Sequence, residues 1–324
     1  MTQQALPEVV RRARRPLLAR ILRIVLVVVL VTAIAAPAAA LLLLPRERVD
    51  GLADGGVGNV AAPLHILITG SDSRADLTPE ERIALTTGSA GGERADTILL
   101  LTVHGGRAGM LSFPRDLSVE RCDGSVGRIN GALSIGGSTC LVETVHRLSG
   151  IRAHHHLTVT FGGFRDVVEA VGGVELCLER PIRDRSAGID LPAGCQVLDG
   201  ADALGFVRVR KIDSDLARIG RQQQFLRALA GELTDPTLLV RPWRLASIAT
   251  GGARAVTVDH RLGPVDLARL GIGLRAVANG SATTATVPAD GFVSSAGASM
   301  LRVRQTEAQA LFVAFADGTA LRGP

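Results

Sequence analysis

Four short segments set charged side chains where an apolar run meets a loop. They are Gly70-Ser71-Asp72-Ser73-Arg74, Arg94-Ala95-Asp96-Thr97, Phe113-Pro114-Arg115-Asp116, and Arg208-Val209-Arg210 followed by Arg218 and Arg221-Gln222. Residues two apart share a face of an extended segment, so Arg94 is expected to point with Asp96, and Arg208 with Arg210. Arg218 and Gln222, four apart, would share a helix face. Guanidinium forks converging with carboxylates suit a phosphate-bearing dianion together with a divalent cation: the planar N–H pairs match two oxygens at once, and hard cations take oxygen ligands. Each segment also has a plainer reading. Arg94–Asp96 and Arg115–Asp116 would serve as surface ion pairs, and Asp213 or Asp215 as a helix cap.

Such a cluster needs a scaffold that brings the four segments together. From Leu64 onward short apolar runs alternate with helical periodicity, which predicts an α/β fold with a central, mainly β-sheet flanked by helices in an α/β/α sandwich. His65–Thr69, Asp96–Val103, Gly109–Phe113, Leu157–Thr160 and Val174–Leu178 read as strands. Thr139–Leu148 reads as a helix with Ser138 as its cap and Gly150 as its stop. Further helices are expected at Phe164–Ala170 and at Leu216–Leu233, the latter with Ile219, Leu226 and Leu229 as its apolar stripe. Asp199–Leu204 is expected to be helical and to run into an extended Phe206–Arg210. Beyond 237 the pattern gives strand, helix and strand near 255–258, 265–276 and 285–287, then a helix near 307–316.

Ahead of this domain, residues 21–44 are almost wholly apolar, interrupted by Arg23, Thr32 and Pro37. That length matches the ~20 residues a helix needs to cross a bilayer. Arg11, Arg12, Arg14, Arg15 and Arg20 precede the run, so residues 1–20 form a basic cytoplasmic tail, 21–44 a single-pass transmembrane helix, and the remainder is exported. A cleavable signal peptide is the rival reading, because small residues fill 35–40. Residues 45–62, with Asp54-Gly55-Gly56-Val57-Gly58, read as a flexible linker, 63–236 as the main domain, and 237–324 as a C-terminal part packed on or continuing it.

The net charge of +5 does not signal a nucleic-acid partner. Six of the 36 basic residues and one of the 31 acidic ones fall within residues 1–23, which leaves thirty of each. The exported part therefore has no net pull on a polyanion. Nearly all the basic residues are Arg, and Lys211 is the sole lysine.

Cys122, Cys140, Cys177 and Cys195 all lie in the exported part, where disulfides form. Of three possible pairings, the local ones, Cys122–Cys140 and Cys177–Cys195, are expected, each flanking one excursion from the sheet. The His154-His155-His156 triplet invites a metal reading, but alternate residues on a strand face opposite ways, so at most two of the rings could converge.

Seven segments in unbroken order resemble the LytR–CpsA–Psr family: GSDSR (70–74), RADTILLLTV (94–103), LSFPRDLSV (111–119), RINGALSIGG (128–137), FGGFRDVVEAVGGVELCL (161–178), LDGADALGFVRVR (198–210) and DLARIGRQQQFLRAL (215–229). The resemblance implies a bacterial envelope enzyme that transfers a glycopolymer from a polyprenyl-pyrophosphate carrier onto peptidoglycan. It places metal-binding aspartates at Asp72 and Asp96 and pyrophosphate-binding arginines at Arg94, Arg115, Arg208 and Arg210. Arg74, Arg218, Arg221 and Gln222 are expected in support.

The chemistry so implied is phosphotransfer assisted by Mg2+ or another divalent cation such as Mn2+, with Asp96, Arg94 and Arg115 at the reacting centre. An apolar tunnel for the lipid tail is expected. Two alternatives use the same residues: a hydrolase that releases the glycan to water, and a non-catalytic receptor that only binds the lipid-linked glycan.

Overall fold

The structure, a computed structural model, describes residues 42–324 except 56, 89–92, 210–214, 253–254, 296 and 323–324. The expected membrane helix at 21–44 lies, but for its last three residues, outside the described part. Among the described residues no helix is long and apolar enough to cross a membrane.

One mixed seven-stranded sheet organises the chain. Its strands are β1 (Arg46–Glu47), β2 (Leu64–Ser71), β3 (Ala95–His104), β4 (Arg107–Ser112), β5 (His155–Val159), β6 (Val256–Asp259) and β7 (Thr283–Thr286). Their order is β1-β6-β5-β2-β3-β4-β7. β2 and β3 pair antiparallel at the centre, and β2 lies parallel to β5. The core of β3, Ile98 to Val103, is buried throughout because both faces of the sheet are covered, hence its continuous apolar run.

The helices are α1 (Pro79–Ala84), α2 (Ala132–Ser149), α3 (Phe161–Val171), α4 (Gly200–Arg208), α5 (Asp215–Leu233), α6 (Pro242–Ser247), α7 (Pro264–Ala278) and α8 (Gln305–Ala316). On one face Leu67, Ile98, Leu100 and Leu111 pack with Leu141 and Val145 of α2 and Phe312 and Phe315 of α8. On the other, Ile66, Leu101 and Leu157 meet Leu270 and Val277 of α7. The result is a central sheet flanked by helices.

Two expectations need correction and a third needs extending. Residues 45–62 are not a plain linker, because Arg46–Glu47 joins the sheet beside β6 and Val49 and Leu52 are buried in the core. The helix expected at 139–148 is present and ends at Gly150, but a further helical stretch from Ala132 precedes it in α2, separated by a kink at Gly136 and Gly137, whose φ values of −148° and +63° leave the helical region. Phe206 to Arg208 is helical rather than extended. Gly205 lets α4 continue there, since a Cβ would strike the side chain of Ile189 and the carbonyl of Ala187. The FVRVR alternation imitates a strand while burial follows the helix.

Both disulfides are the local ones. Cys122–Cys140 ties the loop after residue 120 to α2, and Cys177–Cys195 joins facing residues of the hairpin built from Val174–Leu178 and Gly194–Leu198.

Candidate active site

β2 ends and β3 begins at the same edge of the sheet, and there the register slips. Gly70 pairs with Thr97 and Ser71 with Ala95, so Asp96 is the extra residue of a bulge. A bulge re-aims the side chain it carries, and here Asp96 meets Arg115, whose Nη1 donates to Asp96 Oδ1 at 2.6 Å. Arg115 follows β4 and also pairs through Nε with Asp116 at 3.4 Å, while Asp116 faces Arg128 at 3.3 Å. Burial opposes the Arg115 charge, but the Asp96 and Asp116 carboxylates outweigh it and raise the pKa.

Asp72 is fixed one step away. Its N–H donates to Arg94 O at 2.9 Å, and its Oδ1 accepts from Arg94 N–H at 2.7 Å. Arg94 thus positions Asp72 through its backbone, while its guanidinium is exposed and makes no ion pair among the described residues. The expected shared face of Arg94 and Asp96 gives way to the bulge. Glu93, which the sequence did not single out, accepts from Ser71 Oγ at 2.7 Å.

On the other side, Arg74 and Arg208 flank one aromatic ring. Their guanidinium carbons lie 5.7 and 5.1 Å from the Phe161 centroid. Arg74 Nε donates to Thr87 O at 2.8 Å, and Arg208 donates to Leu85 O and Thr86 O at 3.0 Å each. The segment after α1 is thereby fastened to both arginines. α1 itself is fixed by Pro79 in its first turn and a reciprocal Thr78–Glu81 capping box. Phe161 opens α3, whose first turn lies so close to the chain before β6 that a Cβ at Gly163 would strike Ala255 O. The FGGF sequence carried that signal in its paired glycines, but nothing in it identified the ring as the surface beneath two arginines.

Arg221 Nη2 donates to Val209 O at 3.1 Å and Gln222 Nε2 to Val207 O at 3.4 Å, both bracing the end of α4. Arg210 lies outside the described residues. So does the side chain of Arg218, whose backbone belongs to α5.

These polar groups surround one end of an apolar cavity of about 260 Å³. Ser71, Asp96, Arg115, Arg208 and Gln222 line its mouth. Ile68, Leu99, Leu101, Leu157, Phe225, Leu229, Leu270 and Leu274 line the bore between the sheet, α5 and α7. A charged mouth on a greasy bore suits a ligand with a phosphate head and a hydrocarbon tail.

The histidines do not line this cavity, although His156 bonds Thr69, which does. His155 Nδ1 bonds Asp259 Oδ2 at 2.9 Å and its Nε2 bonds Asp266 Oδ2 at 3.2 Å. His156 spans Thr69 Oγ1 at 2.9 Å and Glu47 Oε1 at 3.2 Å, and His154 Nδ1 accepts from His65 N–H at 3.0 Å. Each of these contacts ties strands or termini together.

The chain matches the model of the LytR_cpsA_psr family over residues 46–316. It is 36% identical over 268 residues to the probable cell wall biosynthesis protein LcpB of Corynebacterium glutamicum, an alignment covering 82% of this chain and 64% of that protein. The cell wall biosynthesis protein LcpA of the same organism is 31% identical over 287 residues, covering 74% and 55%. This chain thus spans less than two thirds of either relative. The polyisoprenyl-teichoic acid–peptidoglycan teichoic acid transferase TagV of Bacillus subtilis is 32% identical over 169 residues, 48% of this chain and 43% of TagV. The B. subtilis TagV crystal structure superposes with a TM-score of 0.62 at 23% identity, covering 82% of this chain and 99% of that one, which is a likeness of fold.

Proposed function

This chain belongs to the LytR_cpsA_psr family, and from that premise we propose that it is a membrane-anchored phosphotransferase. It transfers a glycopolymer from a polyprenyl-pyrophosphate carrier to a hydroxyl of peptidoglycan. The observation that carries this reading is the apolar cavity whose mouth is lined by Asp96, Arg115, Arg208 and Gln222. The names of the relatives, cell wall biosynthesis proteins and a teichoic acid transferase, support it.

The bore takes the polyprenyl chain, and the arginines take the pyrophosphate. Arg115, held by Asp96 and Asp116, presents a fixed cation at the rim, and Arg74 and Arg208 are steadied on Phe161. Preorganised cations aimed at phosphoryl oxygens stabilise charge as it develops, the principal demand of this chemistry. The acceptor hydroxyl attacks the phosphorus that bears the glycan and its proton passes to Asp96. A new phosphodiester forms, the bond to the bridging oxygen breaks, and polyprenyl phosphate leaves.

Asp72 and Asp96 offer hard oxygen donors of the kind Mg2+ or Mn2+ shares with a substrate phosphate, so the residues fit a divalent cation. Bound there, the ion would neutralise phosphate charge. Residues 1–20 as cytoplasmic tail, 21–44 as anchor and an extracytoplasmic domain belong to the same proposal.

The test is incubation of the purified chain with lipid-linked glycan, Mg2+ and peptidoglycan. Covalent attachment is expected. Free glycan alone would mark a hydrolase, and binding without turnover a receptor; either result overturns the transferase.

A further inference from the structure

The register of the sheet fixes where the N-terminal apolar run meets the domain. Arg46 pairs with Val258, Val258 with Leu157, Leu157 with Ile68, and Ile68 with Leu99, forming one row across five strands. β1 is parallel to β6, β6 antiparallel to β5, and β5 parallel to β2, so β1 runs opposite to β2. Traced backwards from Arg46, the chain therefore heads toward the end where β2 finishes in Ser71. Pro45 O still accepts from Val258 N–H at 2.9 Å, and Leu44 packs on the core. The apolar run thus joins the domain nearly level with Gly70 and Thr97, at the mouth of the cavity. β1 is three strands from β2 and four from β3, a lateral offset of ~14 and ~19 Å at ~4.8 Å per strand.

Two large apolar side chains stand exposed at this same end. Leu42 is 86% accessible and Ile83, on α1, 80%. α1 lies at the rim because Leu77 and Leu85 beside it pack on Phe161 and Leu204, and Arg208 holds the Leu85 and Thr86 carbonyls. The exposed guanidinium of Arg94 lies there too. Trp243, the single tryptophan, is 68% exposed at the opposite end. Its helix α6 is tied by Arg244 to Val171 O at 2.6 Å, the last residue of α3, which starts at the mouth. The 11 residues of α3 separate the two ends by ~16 Å at ~1.5 Å per residue.

We propose that the end of the domain bearing the cavity mouth, with Leu42 and Ile83, rests on the lipid bilayer. The lipid-linked substrate then passes from the membrane into the bore tail first, without its hydrocarbon crossing water. The occupant is a bilayer because the 24-residue run of 21–44 ends at this face and is preceded by arginines. The exposed arginine at the rim matches anionic head groups. This inference rests on the anchor reading of residues 21–44 but not on the transfer chemistry.

The unique tryptophan supplies the probe. The full chain is reconstituted into vesicles containing brominated phospholipid, either as the natural sequence or with Ile83→Trp and Trp243→Phe together. Ile83 is exposed, so the double substitution is expected to fold, and an unchanged melting temperature checks that. The tryptophan at position 83 is expected to lose most of its emission to bromine quenching, while Trp243 keeps its own. Flotation with the vesicles but no quenching at position 83, or quenching of Trp243, overturns the orientation alone. Failure to float overturns the anchor and the orientation together. An emission shift at position 83 that follows protein concentration and ignores bromine would mark a second copy of the chain on this face, and would also overturn the proposal.

Discussion

Asp72 and Arg94 hold each other twice, the Asp72 N–H donating to the Arg94 carbonyl at 2.9 Å and the Arg94 N–H to the Asp72 carboxylate at 2.7 Å. The clip joins the loop after β2 to the residue just before β3. It makes the charge of Asp72 separable from its hydrogen-bonding role. Asp72→Asn keeps an acceptor for Arg94 N–H and loses the anion. Its melting temperature should stay near that of the natural chain while half-maximal activity moves to higher Mg2+, and excess Mg2+ should restore most of the rate. A variant equally active at low Mg2+ would remove Asp72 from the metal assignment.

Phe161 lies beneath two guanidinium groups, each contact worth ~0.5–2 kcal/mol. Phe161→Leu preserves an apolar side chain but not the ring face. It should raise KM for the lipid-linked substrate about 5- to 900-fold with a smaller effect on kcat, the fold-change equivalent of losing both contacts. Phe161→Trp, with a stronger π face, should recover it. Equal KM values in the Leu variant would show that the ring serves packing alone.

Leu274 lines the bore on α7. Leu274→Trp fills that volume. Transfer from a long polyprenyl carrier should fall sharply while a carrier with a short tail remains a substrate. Equal losses with both carriers would place the tail elsewhere.

The site's charged pieces were legible because they sit at strand ends, where alternation of side chains is a local rule. The segment carrying Asp96 and the one carrying Arg115 could be placed beside a sheet from their own neighbours. What required the fold was long-range. The pairing of Arg46 with Val258 spans most of the chain, and it turned an apparent linker into an edge strand. The bulge at Asp96 depends on the register with Gly70 and Ser71, which no single segment encodes. Arg208 read as a strand residue because Val207 and Val209 are β-branched, whereas packing of Leu204 and Phe206 kept the segment helical. The disulfides needed only the local excursions between their cysteines.

His65 predicts the response to acid. Burial, with His154 adding repulsion, lowers its pKa from 6.5 to about 4. Between those values the unfolded chain holds more protons than the folded one, so stability falls as the pH drops from 6.5 toward 4. The loss is at most about 3 kcal/mol for this group. His65→Asn keeps a partner for Thr102 Oγ1, which His65 Nδ1 meets at 3.0 Å. Thermal melts across that pH range should be flatter for the variant. Parallel curves would assign the acid response to other groups.

Arg115 offers the most direct test of the phosphotransferase account, because it touches Asp96 and lines the mouth without closing the core. The measurement is the rate of covalent glycan attachment to peptidoglycan by the natural chain and by Arg115→Ala, with melting temperatures taken on the same samples. Loss of a preorganised donor that acts in the transition state typically costs ~2.7–4 kcal/mol, or about 10²–10³ in rate. The account predicts a loss of that size in samples that still melt cooperatively, with a stability cost larger than the about 0–1 kcal/mol of an exposed ion pair because Arg115 is mostly buried between Asp96 and Asp116. Attachment at the natural rate by a cooperatively melting Arg115→Ala would contradict it.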